Sequence, residues 1–159
     1  MARPSVLLVE NDERFRETVC DVLERAGYKV KQARTPLEAQ SEAKDSHFAA
    51  AVVDVRLLNE NDRFDWSGLK LARKLGEQMP VVILTAYDDA TDIERAYTAA
   101  PGAPRIRAFI SKNARDWDKQ LLDALSENIK PSGGVREWLR EHWQEVKTAL
   151  KVVRHWLKL

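Results

Sequence analysis

Apolar positions along this chain fall into two alternating patterns. Four short runs lack polar alternation: Val6 to Val9, Phe48 to Val53, Val81 to Leu84 and a weaker one from Ile106 to Ile110. Short runs of this kind suit strands buried on both faces. Tyr28-Lys29-Val30-Lys31 alternates instead, which suits an edge strand with one wet side. Between the runs the period becomes helical. Asp12 to Ala26 sets Phe15, Val19, Val22 and Leu23 on one stripe, and Gly27 is placed to end it. Thr35-Pro36-Leu37-Glu38 reads as a helix start: a capping hydroxyl, a proline at the first helical position and a glutamate to complete a capping box. Ser67 to Gln78, Ala90 to Ala100 and Ala114 to Asn128 supply three further helical stretches, the last with Trp117 in a packing position.

The order is thus strand then helix, five times over, which predicts a parallel sheet with helices on both faces. Right-handed crossovers leave few topologies, and the expected fold class is α/β, a flavodoxin-like (βα)5 doubly wound sheet of order 2-1-3-4-5. Ligands of such sheets bind beyond the carboxyl ends of the strands, where the strand order reverses. Pro131-Ser132-Gly133-Gly134 breaks the pattern. The expected division is a body over 1–128, a linker over 129–134 and a C-terminal amphipathic helix over 135–159. In that helix Leu139, Trp143, Val146, Leu150, Val153 and Leu157 step by four and three, while Trp138 and Trp156 widen the stripe. Such a stripe needs covering, by the body itself, by a second copy in a homodimer, by a partner protein or by an acidic membrane surface.

Composition narrows the class. Of 159 residues, 44% are hydrophobic, and Cys20 is the lone cysteine, which excludes a disordered chain and a disulfide scaffold. No apolar run approaches a membrane span, and the opening MARPSVLLVEND lacks the apolar stretch of a signal peptide, so the expected location is cytoplasmic. The net charge of +1 hides an asymmetry: residues 128–159 carry seven Lys or Arg against three Glu, leaving the body acidic. No helix-turn-helix follows the body, so direct DNA binding is not expected. His47, His142 and His155 have no metal-ligand spacing with one another or with Cys20.

The expected topology brings together the residues that end the central strands: Glu10-Asn11-Asp12, Asp54, Thr85 and Ser111-Lys112. Clustered carboxylates repel one another unless a dication or a lysine neutralises them, and Mg²⁺ with one or two carboxylates and phosphate oxygens is the usual solution. A central aspartate can attack phosphorus and carry the phosphoryl group, with Thr85 and Lys112 binding its oxygens.

The blocks VLLVENDERFR, AAVVDVRLL, VVILTAYDD and AFISKN, in that order and each at the end of an apolar run, resemble the signature blocks of the response-regulator receiver domain of two-component signalling. The resemblance covers residues 5 to about 127. It implies a non-enzymatic signalling domain that takes a phosphoryl group from a sensor histidine kinase or phosphotransfer protein. Carried over by position, it makes Asp54 the phosphoacceptor, Glu10 and Asn11 the acidic pair at the Mg²⁺ site, and Arg56 a further ligand through its backbone carbonyl. Thr85 and Lys112 bind phosphate; Thr85 and Phe109 form the switch that reshapes a protein-interaction face.

The chain departs from that pattern in places. Asn11 stands where the family has an aspartate, so Mg²⁺ affinity is expected to fall, with Asp12, Glu60 or Asp62 as candidates to restore the charge. The segment Asn59 to Ser67 is longer than the family's loop, as is Pro101 to Arg105, and Lys112 is followed by Asn113 where the family has proline. The alternative to a phosphorylated receiver is therefore a pseudo-receiver, a binding module on the same fold. A Mg²⁺-dependent phosphohydrolase is disfavoured because Arg56 stands where its general acid would be.

Overall fold

Every apolar run becomes a strand, and the polar residue that ends each run is left at one edge of the sheet. In the computed structural model, which describes residues 2–86 and 105–129, the elements follow in chain order. They are β1 (Ser5–Val9), α1 (Glu13–Arg25), β2 (Lys29–Ala33), α2 (Pro36–Asp45), β3 (Ala50–Val53), α3 (Ser67–Leu75), β4 (Val81–Thr85), β5 (Ile106–Ser111) and α4 (Trp117–Asn128). All pairings are parallel and the order is β2-β1-β3-β4-β5, as the alternation of strand and helix predicts. The helical pattern over 90–100, the connector over 101–104, and the tail with Trp138, Leu139, Trp143, Val146, Leu150, Val153, Trp156 and Leu157 lie outside the described residues.

The period of two sorts the strand side chains into two cores. Leu7, Val9, Ala51, Val53, Val81 and Ile83 point to one face and pack with Ala39 of α2 and Leu71, Ala72 and Leu75 of α3. Val6, Leu8, Ala50, Val52, Val82 and Leu84 point to the other and pack with Val19, Cys20 and Leu23 of α1 and Leu121 and Leu125 of α4. Burial on both faces is the reason these strands read as unbroken apolar runs. β2 runs two residues further than its alternation suggests, to Ala33, and keeps Lys29, Lys31 and Gln32 exposed. Ile129, expected to open the linker, donates to the Leu125 carbonyl and packs partly on the second core.

The helix ends are set by local chemistry. Asp12 caps α1 by accepting from the Phe15 N–H at 3.0 Å. At the other end Gly27 takes φ +96°. Tyr28 N–H then bonds the Leu23 carbonyl and Gly27 N–H the Glu24 carbonyl, a Schellman closure that needs a residue without a Cβ penalty. Thr35 caps α2 with Pro36 at its first turn. Glu38 differs from expectation by one residue: its carboxylate reaches past the cap to the Arg34 N–H at 2.8 Å and also pairs with the Arg34 guanidinium. α3 stops at Leu75 rather than Gln78, and α4 starts at Trp117, after a turn through residues 114–116.

The long segment between β3 and α3 is held by one buried carboxylate. Asp65 Oδ2 accepts from the Leu58 and Asn59 N–H groups, both at 2.8 Å, and Oδ1 accepts from the Ser67 N–H at 2.9 Å. Burial alone would raise the Asp65 pKa, but these bonds, including those from Ser67, outweigh it and hold the carboxyl below its ordinary range. α3 then begins against the end of β3, with Gly68 N–H on the Val55 carbonyl at 2.8 Å. A Cβ at Gly68 would lie 1.7 Å from the Asp54 carbonyl oxygen, a backbone atom that cannot swing aside. Gly68→Ala is therefore expected to destabilise the fold by about 1–3 kcal/mol, read as a lower urea midpoint. An unchanged midpoint would mean that α3 does not press on the end of β3.

Candidate functional site

Register decides where the strand-end residues meet. Val9 pairs with Val53 and Val53 with Ile83, so β1 and β3 end level, while β4 and β5 run two residues further to the pair Thr85 and Ser111. Each ladder runs one backbone bond further: Glu10 N–H to Ala33 O, Asp54 N–H to Val9 O and Lys112 N–H to Thr85 O, at 3.1, 3.0 and 2.8 Å. The first residue past each strand is thus fixed by main-chain bonds before its side chain makes any contact.

Glu10, Asp54 and Lys112 converge. Lys112 Nζ lies 2.6 Å from Glu10 Oε2 and 2.9 Å from Asp54 Oδ2, one ammonium between two carboxylates. Glu10 and Asp54 are 2% and 6% exposed, so this ion cluster lies almost out of water. The second oxygen of each acid is also engaged: Glu10 Oε1 accepts from the Asp12 N–H at 3.0 Å and Asp54 Oδ1 from the Val55 N–H at 2.7 Å. Burial pushes the Glu10 carboxyl up to about 7 from an ordinary 4.5; Lys112 opposes that rise and Asp54 adds to it. For Lys112, burial pulls the pKa down, but the charges of Asp54 and Glu10 outweigh it and the net shift is upward.

The remaining predicted residues lie around this centre. Thr85 is buried at the end of β4. Phe109, on β5, packs half-buried against the α2–α3 core. Asn11 follows Glu10, and its side-chain oxygen is buried with no hydrogen-bond partner among the described residues. Arg56 lies two residues past Asp54 and sends Nη1 to the Glu60 carbonyl at 2.7 Å. Of the acids suggested as charge replacements, Asp12 caps α1, Asp62 accepts from the Phe64 N–H at 2.9 Å within its own loop, and Glu60 is exposed. Among the described residues no group of three or more His, Cys, Asp or Glu is placed to hold a metal, so any ion here would need the Asn11 oxygen and a backbone carbonyl as well.

Two neighbours were not singled out by sequence. Arg16 is a buried arginine on α1 whose Nη1 donates to the Glu10 carbonyl at 2.9 Å and the Asn11 carbonyl at 3.4 Å, while Nε donates to Gln32 Oε1 at 3.2 Å. It ties the turn after β1 to β2. Phe15, read as a core residue, places its ring centroid 4.6 Å from Lys112 Nζ.

Chemically, the site is a pair of carboxylates made compatible by one lysine. Because the Glu10 pKa is raised, its proton favours the fold; that contribution is complete below about pH 4.5 and is lost as pH rises through about 7. Lys112→Met would leave both acids buried without a counter-charge. At pH 8 it is expected to cost about 3 kcal/mol in urea unfolding, and the difference from the parent should narrow toward pH 5 as Glu10 takes up a proton. Equal stability of the two proteins at pH 8 would contradict the ion cluster.

Comparison with known proteins places this geometry. Residues 6–124 match the family described as the response regulator receiver domain. The photosynthetic apparatus regulatory protein RegA of Rhodovulum sulfidophilum is 33% identical over 151 residues, covering 91% of this chain and 75% of that protein. RegA of Cereibacter sphaeroides is 34% identical over 134 residues, covering 80% and 65% respectively. The transcriptional regulatory protein SrrA of Staphylococcus aureus is 30% identical over 119 residues, and this chain spans 47% of its length. The chemotaxis response regulator CheY4 of Vibrio cholerae superposes with a TM-score of 0.62 at 18% identity, over 78% of this chain and 99% of that one. The signal receiver domain of an HD domain-containing protein from Pseudomonas fluorescens Pf-5 gives 0.63 at 22% identity, over 80% and 94%. These two structures show the fold. Receiver domains are generally non-enzymatic signalling domains, and response regulators work with histidine kinases or phosphotransfer proteins. A strand-end cluster of Glu10, Asp54 and Lys112 on a β2-β1-β3-β4-β5 sheet, within a family match spanning most of the body, leads to one conclusion: the chain belongs to the response regulator receiver domains of two-component signalling.

Proposed function

We propose that Asp54 accepts a phosphoryl group from a histidine kinase or phosphotransfer protein and that Lys112 and Thr85 bind the oxygens of the group it carries. The observation that carries this reading is the Lys112 ammonium held 2.9 Å from Asp54 Oδ2 at the carboxyl edge of the sheet. A carboxylate oxygen of Asp54 attacks phosphorus, the P–N bond to the donor imidazole breaks, and the imidazole leaves with the bonding pair. The product is an acyl phosphate on Asp54. Lys112 Nζ, until then shared by two carboxylates, takes a phosphoryl oxygen as a charge-assisted partner. Thr85 ends β4 in register with Ser111, next to Lys112 in sequence, and its hydroxyl is the nearby neutral donor that the switch requires. Phe109, three residues before Lys112 on the same strand, is the ring that this switch moves.

Glu10, Asn11, Asp54 and the Arg56 carbonyl are the residues that would hold Mg²⁺, which supplies neutralisation of phosphoryl oxygens when bound. The buried, unpartnered Asn11 oxygen supports that assignment, since a hard cation is a fitting partner for a stranded amide oxygen. The same residue favours a second reading. An amide in place of a carboxylate removes one formal charge, and a receiver with too little metal affinity would act by contact alone, as a binding module.

Intact mass after incubation of the full chain with acetyl phosphate and Mg²⁺ separates the readings. The expected result is one phosphoryl adduct, absent from Asp54→Asn; no adduct at any Mg²⁺ concentration would establish the binding module instead. Asn11→Asp is expected to tighten Mg²⁺ binding about tenfold by restoring the lost charge, measured by calorimetry on the full chain. Unchanged affinity would place the metal away from Asn11.

A further inference from the structure

We propose that Phe15 is a positioning residue for Lys112, its ring forming the uncharged wall of the cradle in which the ammonium sits. The inference deepens the phosphoacceptor reading and rests on it for its functional part, whereas the cradle itself rests on geometry alone. Among the described residues, Lys112 Nζ meets Glu10 Oε2 at 2.6 Å, Asp54 Oδ2 at 2.9 Å and the face of Phe15, with the ring centroid at 4.6 Å. An aromatic face carries partial negative charge and attracts a cation most strongly where water is excluded, and the Lys112 side chain is only 12% exposed.

Phe15 is not free to drift. It lies in the first turn of α1, whose cap is fixed by Asp12 accepting from the Phe15 N–H itself at 3.0 Å. The far side of the residue packs on the second core, and its ring meets that of Trp117, at the start of α4, with centroids 5.2 Å apart and planes tilted by 50°. A tilted pair at this separation lies in the favoured range for aromatic contacts. Trp117 therefore buttresses Phe15, and Phe15 buttresses Lys112.

The difference between a ring and a carboxylate matters for function. A carboxylate competes with a phosphoryl oxygen for the lysine, because both are anions seeking the same protons. A ring face attracts the cation without occupying its N–H donors in a fixed direction. Lys112 can then turn its N–H groups from Glu10 toward a phosphoryl oxygen on Asp54 while staying seated on Phe15. The ring keeps the ammonium within reach of the acceptor through the exchange of partners, and loss of the ring lets it follow Glu10 alone.

The test uses the full chain with Phe15→Leu, which keeps an apolar side chain of similar bulk but has no π face, and Phe15→Tyr, which restores the face. Selective labelling of lysine, with Lys112→Arg to assign the signal, reads the ring current on the Lys112 Cε and Nζ protons. They are expected to resonate upfield in the parent and in Phe15→Tyr, and to return to ordinary lysine positions in Phe15→Leu. The rate of phosphoryl adduct formation with acetyl phosphate is expected to fall about fivefold in Phe15→Leu, within the range of a desolvated cation–ring contact, and to recover in Phe15→Tyr. Lys112 signals that are ordinary in the parent, or unmoved in Phe15→Leu, would overturn the cradle. A shifted signal with an unchanged rate would overturn the positioning role. If the parent forms no adduct, the phosphoacceptor reading fails while the ring-current result still decides whether the cradle exists.

Discussion

Two ionised carboxylates cannot share a nearly dry pocket cheaply unless something between them carries positive charge. Here that something is the Lys112 ammonium, set between Glu10 and Asp54 at the edge where β1, β3 and β5 end. The rest of the fold serves to bring these three side chains from distant parts of the chain to one point. Parallel pairing levels the ends of β1 and β3 and carries β4 and β5 two residues past them, and single backbone bonds beyond the ladders fix Glu10, Asp54 and Lys112 at the same edge. The strand order reverses between β1 and β3, the place where doubly wound sheets bind their ligands, and the cluster lies at that reversal. A lysine in this position opposes the rise that burial imposes on the Glu10 pKa, and on the proposed function it would trade one anionic partner for another.

The proposed exchange would link stability to signalling. The ion cluster is costly to bury, and its partners pull in opposite directions: burial and Asp54 favour a proton on Glu10, while Lys112 favours its loss. On the proposed function, a site balanced in this way would respond to a new anion, because a phosphoryl group on Asp54 would compete for the Lys112 ammonium. The surroundings are stiffer. Arg16 ties the turn after β1 to Gln32 on β2, Asp65 gathers three backbone N–H groups in the loop after β3, and Gly68 lets α3 close against the Asp54 carbonyl. A charge able to change partners inside a fixed frame is what the proposed switch would require.

Much of this was legible in the sequence because the fold is built from local signals. Unbroken apolar runs marked the strands, Thr35-Pro36 marked a helix start, and Gly27 marked a helix end. The strand-end residues then identified the site once the topology was inferred. What sequence could not reveal depends on segments distant along the chain that meet only in space. Arg16 sits on α1 like any solvated charge until its guanidinium is seen capping the carbonyls of Glu10 and Asn11. Phe15 belonged to an apolar stripe and so read as core, and the stripe says nothing of a lysine arriving from a segment 97 positions later. Asp65 read only as one residue of the lengthened segment Asn59 to Ser67, whereas its burial and three backbone donors make it the staple of that loop. Glu38 reached one residue further than the capping-box spacing because the Arg34 side chain gave it a second partner.

The central claim is that Lys112 moves from carboxylate to phosphoryl oxygen when Asp54 is loaded. A crystal structure of the full chain with Mg²⁺ and beryllofluoride, a phosphoryl mimic that bonds a carboxylate oxygen, tests it most directly. The account predicts beryllium on Asp54, a fluoride within hydrogen-bond distance of Lys112 Nζ, and the metal on the Asn11 side-chain oxygen. Beryllofluoride bound at Asp54 with Lys112 still fixed on Glu10 and turned away from the fluorides would contradict it.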